Sequence, residues 1–258
     1  MMAPGQKVFI TGASSGIGRA LALEYARRGA TLGLIARRGD LLTQLAASLP
    51  VRSYTYVVDV TDARALAGAA EDFAARAGYP DIVIANAGVS AGTLTTHSED
   101  NAVFEEVIKV NLIGMMLTFQ PFVEAMRTQR SGVLVGIASV AGFRGLPGAA
   151  AYSASKAAAI SYLESLRVEL RGSGVSVVTI CPGYVATPLT SKNPYRMPFL
   201  MDAAAAASKM ADAIAARKRF CVLPWQMALV GWTLRRLPRP LYDLLFARAP
   251  RKPRRPPG

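Results

Sequence analysis

Short apolar runs alternate with longer amphipathic stretches along this chain, and a glycine-rich loop follows the first run directly. The apolar runs cover residues 8–11, 31–36, 53–58, 82–85, 133–138, 175–180 and 220–223. Most are continuous in Val, Ile and Leu, the pattern of strands buried on both faces. Helix-period stretches lie between them at 16–28, 62–77, 102–127, 151–171 and 202–218, with Asp40 as a further helix start. Parallel neighbours need a crossover of a dozen or more residues, and a helix fills it. The alternation therefore predicts an α/β chain built on a doubly wound parallel sheet with helices on both faces. A length of 258 residues suits one large domain, and 52% apolar against 18% charged residues excludes a disordered chain. Two cysteines, Cys181 and Cys221, make no disulfide framework. No charged leader precedes the first apolar run, so a reducing, cytoplasmic setting is expected.

The loop reads Thr11-Gly12-Ala13-Ser14-Ser15-Gly16-Ile17-Gly18, between the first strand and the first helix. One glycine permits the tight turn, another lets backbone approach a pyrophosphate, and a third lets helix pack on strand. The helix N-terminus then offers free N–H groups and a favourable dipole to the phosphates. Gly12, Ser14, Ser15, Gly16, Ile17 and Gly18 are thus candidates for dinucleotide binding on a Rossmann-type sheet. The same residues match the Gly-x-Ser-x-Gly elbow of a serine hydrolase. That reading needs an acid and then a histidine further along, and the single histidine, His97, lies in a polar loop. One histidine and two distant cysteines also indicate no metal site.

An NAD site of this type carries an acid after the second strand, where it holds the ribose 2′-hydroxyl. Here that turn reads Ala36-Arg37-Arg38. Guanidinium groups suit a 2′-phosphate instead, so Arg37 and Arg38 favour NADP over NAD.

Tyr152 and Lys156 stand four residues apart in Tyr-Ser-Ala-Ser-Lys, on one face of a helix. A neighbouring cation favours phenolate, so the tyrosine's pKa is expected to fall toward a useful range for acid–base work. Ser139 upstream supplies a hydroxyl.

Together these residues resemble the short-chain dehydrogenase/reductase family in its form of roughly 250 residues, over about residues 7–223. The glycine loop matches the family's cofactor loop. Asp59 and Val60 resemble its adenine-contacting pair. Asn86-Ala87-Gly88 matches its Asn-Ala-Gly motif, although Ala85 stands where many members have an earlier Asn. Asn111, Ser139, Tyr152 and Lys156 fall at its catalytic tetrad. Pro182 and Gly183, with Val185 and Thr187 beyond, resemble the segment that closes over nicotinamide. The resemblance implies that Tyr152 gives a proton to the substrate oxygen and Ser139 polarises that oxygen. Lys156 would hold the nicotinamide ribose, and Asn111 would hold a water relaying protons toward Lys156. It also implies a homodimer or homotetramer built on the helices at 102–127 and 151–171. The non-catalytic competitor is a dinucleotide-binding regulator, which would have no use for the complete Ser139, Tyr152 and Lys156 set.

Two segments are expected to flank a substrate: Phe143, Leu146 and Pro147, and the mostly apolar run of residues 195–201. They suit an apolar carbonyl or alcohol such as a lipid-like chain, a steroid or a bulky ketone. Residues 1–223 then form the catalytic domain. Residues 224–248 form an apolar and basic helical appendix that suits either a membrane surface or packing on the protein. Residues 249–258 read as a disordered tail. After residue 216 there are eleven Lys or Arg and one acid, Asp243, leaving only +3 of the +13 net charge to the body. No aromatic stacking platform accompanies that charge, which argues against nucleic acid as its partner.

Overall fold

The computed structural model describes residues 5–254. Seven strands form one parallel sheet in the order β3-β2-β1-β4-β5-β6-β7. They are β1 (Lys7–Thr11), β2 (Thr31–Ala36), β3 (Ser53–Val57), β4 (Ile82–Ala85), β5 (Gly132–Ile137), β6 (Val175–Pro182) and β7 (Phe220–Leu223). Every neighbouring pair is parallel, with Val8 opposite Leu32 on one side and Ile82 on the other. The chain winds outward from β1 to β3, then returns to the opposite side of β1. That reversal opens a crevice above the carboxyl ends of β1 and β4.

Side chains of alternate residues build two cores, one on each face of the sheet. Val8, Ile10, Leu32, Leu34, Ile84 and Val135 face α1 (Gly16–Arg27), α2 (Gly39–Ser48) and α7 (Ala203–Ala215). Phe9, Ile35, Val83, Leu134 and Val177 face α3 (Ala63–Ala77), α5 (Gly114–Thr128) and α6 (Ala150–Glu169). Each such buried side chain is worth about 1.5–3 kcal/mol relative to exposure. Phe9 is the hub of the second core, with its ring 5.5 Å from Phe73 and 4.9 Å from Phe122.

The helix expected to run unbroken over 102–127 is instead three segments. These are α4 (Asn101–Ile108), a π-helical turn (Lys109–Ile113) and α5. The widened turn carries Asn111, which is completely buried. Periodicity over such a stretch cannot show one inserted residue, whereas side-chain demand at the site can require it. α2 was visible in sequence only as the start at Asp40; Leu42 and Leu45 are its buried contacts.

Beyond β7, α8 (Trp225–Arg236) and α9 (Arg239–Phe246) fold back over the loop after β5. Met227 packs at Gly183, Gly231 lies against the Phe143 ring, and buried Tyr242 donates to the Gly145 carbonyl. Arg144 donates to the carbonyls of Leu234 and Leu237 at 2.6 and 2.7 Å. The opposite face of the appendix is exposed.

Candidate active site

The sheet's carboxyl edge gathers the functional residues because each strand ends there. Thr11 and Gly12 leave β1, Arg37 leaves β2, Asp59 follows β3, Asn86 leaves β4, Ser139 follows β5 and Gly183 leaves β6. All of these but Thr11 border a cleft of about 430 Å³. Of the residues expected to bind cofactor or act in catalysis, all but Gly18 and Asn111 line it.

The glycine loop holds its shape by close backbone approach. Gly12 (φ 69°) and Gly16 (φ 57°) occupy the left-handed region, which costs a side-chain-bearing residue strain. A Cβ at Gly12 would lie 2.8 Å from the Ala87 Cα. At Gly18 a Cβ would meet the Gly12 carbonyl oxygen at 2.2 Å, so this glycine shapes the loop from behind. Asn86 donates to the Thr11 and Gly12 carbonyls at 3.0 and 3.3 Å. Thr11 Oγ1 in turn accepts from the backbone N–H groups of Asn86 and Ala87 at 3.2 and 3.3 Å. Sequence reading missed this organising role of Thr11. The groove suits a dinucleotide: glycines admit close approach, the α1 N-terminus faces it, and arginines stand at its end.

At that end Arg38 reaches back across the loop, donating to Ser14 Oγ at 3.1 Å and to Ser15 Oγ. Ser14 is thereby tied to an arginine, while His97 pairs with Glu99 at 3.2 Å, so no hydrolase pairing forms. Arg37 lies 3.5 Å from Asp59. Burial works against the Asp59 carboxylate, but the Thr61 backbone N–H and hydroxyl, with Arg37, hold its pKa below the usual range.

Ser139, Tyr152 and Lys156 meet at the other end. Ser139 Oγ accepts from Ala141 N at 3.1 Å, capping a short 3-10 turn (Val140–Gly142), and donates to the Pro182 carbonyl at 3.4 Å. Lys156 is buried; its Nζ donates to the Ile137 carbonyl at 2.8 Å and lies 5.9 Å from the centre of the Tyr152 ring. Burial lowers its pKa to about 8, against a smaller rise from Cys181. The lowered tyrosine pKa expected from i, i+4 spacing is not present. Burial pushes the phenol up, opposed by the nearby Ser139 hydroxyl and reinforced by Cys181. Spacing shows a shared helix face but not desolvation, and the ammonium is committed to a carbonyl.

Asn111 is braced on both sides. Its Nδ2 donates to the Val89 carbonyl at 3.0 Å and to Ser155 Oγ at 2.9 Å, while Oδ1 accepts from Val89 N at 2.8 Å. Ser155 Oγ donates to the Tyr152 carbonyl at 2.8 Å, so this serine joins Asn111 to the Tyr152 helix. Its place between Tyr152 and Lys156 was the available signal. Both Asn111 Oδ1 and Lys156 Nζ come within 4 Å of the position a Cβ at Gly88 would take.

Of the expected substrate-side residues, Phe143 is covered by α8, with the Arg235 guanidinium 4.4 Å from its ring centre. Tyr195 lies against Tyr184, with ring centres 6.5 Å apart, whereas Phe199 and Leu200 are exposed. The segment read as a disordered tail is described as far as Arg254. Over residues 251–254 it lies along the loop after β4: Gly92 N donates to the Pro253 carbonyl at 2.9 Å, and Lys252 Nζ to Ser90 Oγ at 2.8 Å.

The profile of the short chain dehydrogenase family matches residues 6–197. An uncharacterized oxidoreductase of Myxococcus xanthus is 41% identical over 237 residues, covering 91% of this chain and 93% of that protein. A 3-oxoacyl-acyl-carrier-protein reductase of Thermotoga maritima is 36% identical, covering 75% of this chain and 80% of its own. An NAD(+)-dependent 2-dehydro-3-deoxy-L-rhamnonate dehydrogenase of a Sphingomonas species is 35% identical, covering 74% and 76%. With the crevice, the glycine loop and the converging Ser139, Tyr152 and Lys156, these likenesses place the chain in the short-chain dehydrogenase family, as an oxidoreductase that interconverts a carbonyl and an alcohol with a nicotinamide dinucleotide.

Proposed function

We propose that the chain is an NADP(H)-dependent oxidoreductase acting on an apolar ketone or secondary alcohol. The observation that carries this reading is the convergence of Ser139, Tyr152 and Lys156 at one end of a cleft whose other end holds Arg38. The bound dinucleotide supplies or accepts hydride. Tyr152 donates the proton to the substrate oxygen in reduction and takes it back in oxidation. Ser139, which lines the same end of the cleft as Tyr152, polarises that oxygen where negative charge develops. Lys156 holds the nicotinamide ribose and stabilises phenolate as the proton leaves. Asn111 has both amide hydrogens engaged and one Oδ1 lone pair taken by Val89 N, so the second Oδ1 lone pair is left to accept from a water on the way to Lys156.

NADP is supported by the position of Arg38 over Ser14 and Ser15, a ready cradle for a 2′-phosphate, with exposed Arg37 beside it. One relative uses NAD(+), so the preference rests on these side chains. The test is the kcat/KM ratio for NADPH over NADH with a panel of ketones. It is expected to exceed one and to fall roughly tenfold or more in Arg38→Ala, the worth of a charge-assisted hydrogen bond. A ratio below one in the wild type would sink the NADP assignment.

An apolar substrate is supported by the apolar character of the two segments expected to flank it, with Leu146 and Pro147 after β5 and Tyr195 and Met197 after β6, and by Val185, Pro188 and Leu189 in the cleft lining. Long-chain and steroid ketones are expected to outperform sugars in that panel. Assembly as a homodimer or homotetramer is supported by Phe104, Ile113 and Val168, which leave apolar surface on α4, the π turn and α6 exposed. A cytoplasmic chain resting on a membrane surface fits the appendix. Trp225, Leu229 and Trp232 share one exposed face of α8, Leu241, Leu244 and Leu245 are exposed on α9, and Arg235, Arg236, Arg239 and Arg248 lie among them. Among the described residues no helix is long and apolar enough to cross a membrane.

A further inference from the structure

The last described residues are fastened down at a place where a loose tail has no reason to be. Arg254 engages buried Asp100 through two nitrogens, with Nε at 2.9 Å from Oδ2 and Nη2 at 3.1 Å from Oδ1, and reaches Glu99 at 2.8 Å. Gly92 pairs with Arg254 as a parallel bridge. A Cβ at Gly92 would stand 2.2 Å from the Lys252 carbonyl oxygen, so loop and strap are in backbone contact. The strap's two ends serve different purposes. Arg254 bridges Asp100 and Glu99, which anchors the segment. Lys252, two residues earlier, is half-buried, and its Nζ lies 5.8 Å from the centre of the Tyr152 ring.

We propose that Lys252 is a specificity-determining residue of the substrate pocket, receiving a carboxylate carried by the carbonyl substrate. The proposal rests on the oxidoreductase reading, since Tyr152 marks where the reacting oxygen is held. Among the described residues Lys252 has no acidic partner: its contacts are the Ser90 hydroxyl and the Tyr152 ring. The nearby acids, Asp100 and Glu99, are taken by Arg254. The charge whose field acts on it is another cation, Lys192 of the segment after β6. Burial and that repulsion pull its pKa down, so the ammonium stands to gain from an incoming anion. A lone half-buried ammonium beside a hydroxyl suits a carboxylate, whereas phosphate is better matched by a guanidinium fork. An apolar chain ending in a carboxylate meets both this cation and the apolar lining that Val185, Pro188 and Leu189 give the cleft.

The test titrates decanoate and decanamide, equal in chain length and different in charge, into the full chain with NADPH present, by calorimetry. Decanoate is expected to bind roughly tenfold or more tightly than decanamide. Lys252→Met should remove that difference and leave decanamide affinity unchanged. Lys252→Gln is the second variant, and thermal unfolding of each confirms a folded chain. Equal affinities for the two probes in the wild type would overturn the proposal. A preference that survives both substitutions would do so too. So would faster reduction of neutral ketones by Lys252→Met without any carboxylate preference, because the strap would then merely obstruct the pocket. Failure of the oxidoreductase reading shows separately, as no NADPH consumption with any ketone, and leaves the binding comparison readable.

Discussion

Tyr152 begins with a handicap: burial holds its proton on, and the cation four residues away points at the Ile137 carbonyl. A protonated phenol is the right state for a proton donor, so the arrangement suits reduction as it stands. Tyr152→Phe is expected to lower kcat by about 10²–10⁴ while dinucleotide affinity holds, the usual worth of acid–base catalysis. Equal turnover would remove Tyr152 from the chemistry. Lys156 titrates within reach of ordinary buffers. Its pKa is lowered to about 8, so the charged form is present below that pH and lost above it. Dinucleotide affinity is therefore expected to weaken as the pH rises from about 7 to about 9, and Lys156→Met should flatten the curve. Fluorescence titration of NADPH across that range checks both.

At the scale of elements, the glycine loop and the π turn hold the site to shape. The loop depends on contacts that no side chain can share. A methyl at Gly18 would meet the Gly12 carbonyl at 2.2 Å and Asn86 Nδ2 at 2.5 Å, and the loop backbone cannot move aside cheaply. A methyl at Gly136 would meet Leu163 Cδ1 at 2.3 Å, the far end of a side chain that can rotate. Gly18→Ala is expected to cost more stability than Gly136→Ala, about 1–3 kcal/mol for overpacking, and to impair dinucleotide binding as well. Urea unfolding of the two variants compares them, and a larger loss at Gly136 would contradict the account. The π turn has a matching logic. It lets buried Asn111 reach Val89 and Ser155 together, tying the loop after β4 to the helix that carries Tyr152.

Over the whole molecule, the body and appendix divide the work. One face of α8 and α9 packs on the body, with Gly231 and Tyr242 against the loop after β5 and Met227 at Gly183 after β6. The other presents Trp225 at 71% exposure and Leu244 at 76% beside several arginines. Full-length chain is expected to sediment with vesicles containing anionic lipid and to be released by salt. Replacing Trp225, Leu229 and Trp232 together by serine should abolish sedimentation while leaving ketone reduction intact, since none of the three lines the cleft. Equal pelleting of the two chains would remove the membrane reading.

Much of this architecture was written in local pattern. Strand and helix periods, the glycine spacing after β1, and the order of Ser139, Tyr152 and Lys156 are short-range features, so they announce the sheet, the crevice and most of its lining. The long-range features were silent. No local signal says that Lys156 turns to the Ile137 carbonyl, that Asn111 sits in a widened turn, or that burial raises the Tyr152 pKa. Nor does one say that Lys252 returns to Tyr152 across 100 residues of chain. Periodicity records which way a side chain faces along its own element. Desolvation and through-space pairing depend on which other element arrives opposite it, and only the packed chain contains that information.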